Sequence, residues 1–160
     1  MKYLVAGLGS IGRRHLRNLL ALGERDIIFY RSRLSTLPDD ELAGFPVETN
    51  LGAGLAHRPD AVIVANPTAL HLAVAIPAAE AGCHLFLEKP VSHSLERLDD
   101  LRTAVRRGGG RVLVGFQFRF HPTLQIAARL LAESAIGRPV AARAHWGEYL
   151  PNWHPWEDYR

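Results

Sequence analysis

A doubly wound α/β fold on a parallel sheet is predicted for this 160-residue chain by two observations. Short all-apolar runs alternate with longer stretches of helical periodicity, and the first apolar run opens directly into a glycine-rich turn. All-apolar strands are what a parallel sheet covered on both faces requires, and the alternation argues for right-handed βαβ units.

Tyr3 to Ala6 reads as the first strand, and Ile11 to Leu22 then carries apolar residues at helical spacing until Gly23 closes it. Ile27 to Tyr30 and Ala61 to Ala65 are further strands; Ala69 to Ala81 is a helix stopped by Gly82, and Leu85 to Leu87 is again a strand. Ser94, with Arg97 where a capping-box glutamate would stand, is expected to open a helix running to Arg107 before Gly108 to Gly110. Val112 to Phe116 completes this set. From Pro122 the pattern changes to a helix reaching Glu133, a turn at Gly137 to Pro139, and an extended run from Val140 to Tyr149. The tail from Leu150 to Arg160 is rich in Trp, Pro and Tyr and has no periodicity.

Composition excludes several classes. With 48% hydrophobic and 22% charged residues the chain is globular rather than disordered or fibrous. A net charge of +3, carried almost wholly by scattered arginines, suits an anionic ligand, and no helix-turn-helix, zinc-finger or aromatic RNA-binding pattern argues for nucleic acid. Cys83 is the single cysteine and reads as a buried thiol, so no internal disulfide forms and a cytoplasmic location fits. Neither a signal peptide nor an apolar run of membrane-spanning length is found, and a soluble, unprocessed protein is expected. His15, His57, His84, His93, His145 and His154 lack the spacing of metal ligands, so no metal is expected.

Gly7-Leu8-Gly9-Ser10-Ile11-Gly12 matches G-x-G-x-x-G between a strand and a helix, the context in which the motif binds dinucleotides. Gly7 allows the tight turn, Gly9 the approach of a pyrophosphate, and Gly12 close helix packing. The free N–H groups and dipole of the following helix attract phosphate, with about 0.3 to 2 kcal/mol for each well-placed charge. A dinucleotide site for NAD would carry an acid at the end of the second strand, but this chain reads Arg31-Ser32-Arg33 there. Arginine grips a 2′-phosphate, so NADP is expected ahead of NAD; the alternative is a solvated loop. Residues 1–120 therefore read as a Rossmann dinucleotide-binding domain, and the change of pattern over residues 121–160 marks a second part of the chain.

Four pieces, in order, resemble the glucose-fructose oxidoreductase, inositol dehydrogenase and MocA (Gfo/Idh/MocA) family. They are Gly7 to Gly12; Asn66-Pro67-Thr68 followed by His71; Glu88-Lys89-Pro90; and Gly115-Phe116-Gln117-Phe118-Arg119-Phe120-His121-Pro122. The resemblance covers essentially the whole chain. It implies an oxidoreductase that moves hydride between a nicotinamide cofactor and a hydroxyl or keto group of a sugar or polyol, with Lys89 as the catalytic lysine. Lysine has an ordinary pKa of about 10.4, so acid–base work near neutrality needs burial or a neighbouring cation. The resemblance further implies that Asn66, Pro67, Thr68 and His71 line or orient the cofactor crevice, and that Glu88 lies near the nicotinamide ribose. By the same resemblance Arg119 and His121 approach the substrate, and the full-length protein is a homo-oligomer. His121 reads equally as a boundary histidine beside Pro122, and the aromatic tail as half-buried packing. Complete members carry a further open-sheet domain with a second catalytic pair, an aspartate and a histidine, so the resemblance implies that residues 121–160 are the incomplete beginning of an α+β substrate and dimerisation domain. The expected alternative is therefore a cofactor-binding module without turnover.

Overall fold

The computed structural model describes residues 1–31, 40–147 and 149. Strands β1 (Tyr3–Ala6), β2 (Ile27–Tyr30), β3 (Val47–Glu48), β4 (Ala61–Val64), β5 (His84–Leu87) and β6 (Val112–Val114) form one sheet in the order β3-β2-β1-β4-β5-β6. Every neighbouring pair is parallel. The chain thus winds outward from β1 to β3, then crosses back to lay β4 against the other side of β1. That reversal is the topological switch point of a doubly wound sheet, and crevices for ligands open there at the carboxyl ends of the strands.

Alternation along each strand divides the core into two layers, one on each face. Leu4, Ala6, Val62, Val64, Leu85 and Leu87 pack on one side with Leu72, Val74, Ala75 and Ala78 of α3 (His71–Glu80) and Leu101 and Ala104 of α4 (Leu98–Gly108). Val5, Ile27, Phe29 and Ile63 pack on the other with Leu16 and Leu19 of α1 (Ser10–Ala21). Leu4, Val5, Ala6, Val62 and Val64 are all 0% exposed, which is why these strands read as unbroken apolar runs. Burying each large side chain of this kind contributes about 1.5 to 3 kcal/mol.

Two features differ from the sequence-based expectation. α4 begins at Leu98, not at Ser94, whose amide instead donates to the Ser92 hydroxyl. The later start places Asp99 and Asp100 in the first turn and Arg106 and Arg107 in the last, the charge order that a helix dipole favours. β3 and α2 (Leu51–Ala56) fall in a stretch with no strong periodicity; α2 has only six residues, two of them glycine, and starts at an Asn50 side chain that accepts from Ala53 N–H at 3.1 Å. The expected extended run from Val140 to Tyr149 joins no sheet among the described residues, and Val140 is 97% exposed. A strand needs a neighbour to satisfy its backbone, and among the described residues none is paired with this run.

By contacts the chain divides into two compact units, Met1–Phe116 and Gln117–Arg160. In the second, a 3-10 turn at Gln117–Phe120 leads through the N-cap His121 into α5 (Pro122–Ala132), with Pro122 in the first turn where its missing N–H is harmless. Among the described residues no helix is long and apolar enough to cross a membrane.

Candidate cofactor crevice

The register aligns Ala6 with Val64 and Val64 with Leu87, so β1, β4 and β5 end level. Gly7, Asn66 and Glu88 consequently leave the sheet along one edge, across the switch point. At Gly7 the backbone turns with φ +96°, and a Cβ there would strike the backbone of Asn66. A Cβ on Gly12 would strike the Gly7 carbonyl, so the start of α1 can sit on the turn only because both residues are glycine. Gly9 differs: a Cβ there would meet nothing within 4 Å. The space before Gly9 is open on the protein side, as a site for an approaching phosphate must be.

Gly9 is also the N-cap of α1, with no side-chain cap and no acid in the first turn, which leaves the helix end electropositive. Leu8 is buried, Ser10 exposed and Ile11 half-buried. Two buried polar atoms nearby have no partner, Asn66 Oδ1 and Arg13 Nη2. Open space at Gly9, a bare helix end and unpartnered buried polar atoms together fit a dinucleotide with its phosphates over the turn.

Along the rest of the edge, Arg31 follows β2, half-buried, and its amide donates to the Glu48 carbonyl at 3.0 Å. Ser32 and Arg33 lie outside the described residues. Asn66 Nδ2 donates to Leu70 O at 3.1 Å, closing a turn over exposed Pro67, and Thr68 opens the 3-10 turn Thr68–Leu70 that feeds α3. The His71 ring is 1% exposed, with Nδ1 3.0 Å from Pro90 O and Nε2 2.9 Å from Asn66 O. Each ring nitrogen faces a backbone carbonyl, and the neutral ring donates to one of the two, so His71 shapes the crevice through the backbone around it.

Glu88, with its side chain 14% exposed, places Oε1 2.8 Å from His15 Nε2 and accepts the Lys89 amide on Oε2 at 3.3 Å. Lys89 is exposed, so the burial that acid–base chemistry asks of a lysine is not provided by the residues of this unit. Arg119 and His121 belong to the second unit. There the Arg119 carbonyl accepts from Gln125 Nε2 at 3.5 Å, and the His121 ring lies 6.2 Å from that of Phe118.

Two residues escaped the sequence reading. Arg13 is 6% exposed, donates from Nε to Leu8 O at 3.2 Å and so braces the glycine turn from below. His15 stands between Ile11 and Leu19 at helical spacing, a polar side chain in the apolar stripe of α1. That misplaced polarity was the available signal.

Comparison with known proteins agrees with this geometry. The Gfo/Idh/MocA family model, an oxidoreductase family with an NAD-binding Rossmann fold, matches residues 1–116. A scyllo-inositol 2-dehydrogenase (NAD(+)) of Bacillus subtilis is 40% identical over 150 residues, covering 85% of this chain and 41% of that enzyme. Among solved structures, the WlbA dehydrogenase of Bordetella pertussis in complex with NADH and UDP-GlcNAcA superposes with a TM-score of 0.77 at 28% identity, covering 86% of this chain and 43% of that one. The scyllo-inositol dehydrogenase of Lactobacillus casei with NAD(H) and scyllo-inositol gives 0.71 at 25% identity, covering 86% and 42%. The chain thus spans less than half the length of these relatives. With the family model running from the first strand through the last strand of the sheet, the chain belongs to the Gfo/Idh/MocA oxidoreductases.

Proposed function

We propose that this chain is the cofactor-holding part of a dehydrogenase that transfers hydride between a nicotinamide dinucleotide and a hydroxyl or keto group of a sugar or polyol. One observation carries the reading: the glycine turn after β1 and the Glu88-Lys89 pair after β5 leave the same edge of the sheet across its switch point. The bound nicotinamide supplies the hydride acceptor or donor. The Gly7–Gly12 turn and the N-terminus of α1 hold the pyrophosphate, and Asn66 and Pro67 wall the crevice on the β4 side. Glu88 faces the nicotinamide ribose. In the oxidative direction the Nζ atom of Lys89 takes the proton from the substrate hydroxyl, and in the reductive direction it returns one. The family resemblance supports a substrate-binding role for Arg119 and His121. The inositol and UDP-sugar in the names of the relatives support a polyhydroxylated substrate.

Arg31, at the end of β2 where a carboxylate would read the ribose of NAD, favours NADP(H) over NAD(H). Titration with each reduced cofactor is expected to show tighter NADPH binding by about tenfold or more, lost in Arg31→Ala. Equal affinities would contradict the preference. In hydride-transfer assays over a panel of polyols and sugars, Lys89→Ala should lower turnover by about two orders of magnitude or more while cofactor affinity stays within a few-fold. A fully active Lys89→Ala removes the lysine from the mechanism, and cofactor binding without turnover on any member of the panel favours a binding module.

A further inference from the structure

Lys89 is exposed, and a flexible lysine on a loose turn would sample many positions; the residues flanking it are nevertheless tied down from both faces of the sheet. On the face covered by α1, His15 holds the Glu88 carboxylate at 2.8 Å, and the other oxygen of that carboxylate accepts the Lys89 amide at 3.3 Å. The His15 ring is itself fixed edge-on against Phe86 at 4.9 Å between centroids. Gly115, after β6, leaves room for that Phe86 ring, since a Cβ there would come 3.2 Å from Phe86 Cε1. On the face covered by α3, the buried His71 ring reaches the carbonyl of Pro90, the residue after Lys89, at 3.0 Å. Its other nitrogen reaches the Asn66 carbonyl at 2.9 Å, and the Asn66 backbone lies directly against Gly7.

These contacts form one connected path. It runs from the glycine turn, through Asn66 and His71, to the backbone just after Lys89, while His15 and Glu88 secure the backbone at Lys89 itself. We infer that His15 and His71 are positioning residues which fix Lys89 relative to the cofactor crevice from opposite faces of the sheet. The inference rests on the reading of Lys89 as the proton-transfer group. Positioning of this kind matters because misplacing a catalytic group by about 1 Å is enough to lower a rate by about a hundredfold.

The chain contains only two lysines, Lys2 and Lys89, so selective ¹³C-lysine labelling yields two sets of side-chain resonances. Lys2, near the start of β1, bonds the His57 carbonyl at 3.0 Å and serves as the internal control. NADPH and NADH are added to the wild type, His71→Ala, His71→Gln and His15→Ala, and calorimetry measures affinity in parallel. In the wild type, cofactor is expected to shift the Lys89 Cε resonance and leave Lys2 unmoved. In His15→Ala affinity should stay within about threefold while the Lys89 shift at saturating cofactor falls to less than about a third; in His71→Ala, whose ring also shapes the crevice, the shift at saturation should fall likewise, and His71→Gln, whose amide still donates to one carbonyl, should recover more than half of it. His15→Ala alters a side chain near the rim of the sheet and keeps the test decisive if the buried His71→Ala does not fold. An undiminished Lys89 shift at saturating cofactor in the folded variants overturns the inference, as does loss of cofactor affinity by His15→Ala in parallel with the shift. A wild type that binds cofactor with no response at Lys89 instead removes the lysine from the cofactor site. A wild type that binds neither cofactor overturns the functional reading and the inference with it.

Discussion

Gly9 and Gly12 separate folding from binding at single residues. A methyl group on Gly12 would strike the Gly7 carbonyl and lie 3.7 Å from Ala65 Cβ, so Gly12→Ala should lower stability. The expected loss is about 1 to 3 kcal/mol in urea denaturation, with cofactor affinity falling as well. Gly9 has φ −69° and open space around it, so Gly9→Ala should unfold within about 0.5 kcal/mol of the wild type and yet lose cofactor binding by tenfold or more. A Gly9→Ala chain that still binds would place the phosphates elsewhere. Among the described residues, two groups with shifted titration lie away from the crevice. Burial, and then the charge of Asp60, push the Cys83 thiol above its ordinary 9.0; burial, and then Glu24, push the Tyr3 hydroxyl above 10.0. Both shifts favour the protonated form in the folded state. Their contribution to stability is therefore complete below about pH 9 and declines as pH rises through the raised values. Urea unfolding between neutral pH and pH 11 should show that decline, and Cys83→Ala should weaken its onset; a flat profile would contradict the assignment.

Elements were legible in the sequence in proportion to how much of their pattern is set by burial. β1, β4 and β5, whose inner residues are almost fully buried, read as unbroken apolar runs, and α1 and α3 read from their spacing and from the glycines that end them. β3, two residues long, and α2, with two glycines in six residues, carry too few side chains to show a period. Ser94 misled because its residue type suits an N-cap, whereas Arg97 takes the cap position with φ +60° and the helix start follows the acidic pair Asp99 and Asp100. In the crevice, the glycine turn and the Glu88-Lys89 turn were readable as motifs. The His15–Glu88 contact was not, since it joins residues 73 apart, and the Arg13–Leu8 brace, though only five residues long, depends on the folded shape of the turn. α2 offers an element-scale test: with so short a helix the Asn50 cap supplies a large share of its bonding. Asn50→Ala should lower stability by about 0.5 to 2 kcal/mol, seen as a lower Tm with cofactor affinity unchanged.

For the whole molecule, the account depends on a sheet whose winding reverses between β1 and β4, because that reversal opens the crevice and brings three strand ends to one edge. The layers on the two faces are built from separate sets of side chains, so the edge they support is held from both sides. Family membership gives this architecture an NAD-binding Rossmann fold, and the open space at Gly9 supports the proposal that phosphates rest over the Gly7–Gly12 turn. The most direct measurement is calorimetric titration of the 160-residue chain with NADPH, alongside Gly9→Ala. The account predicts saturable one-to-one binding by the wild type and little or none by Gly9→Ala at unchanged stability. An absence of saturable binding by the wild type, or equal binding by both proteins, would contradict it.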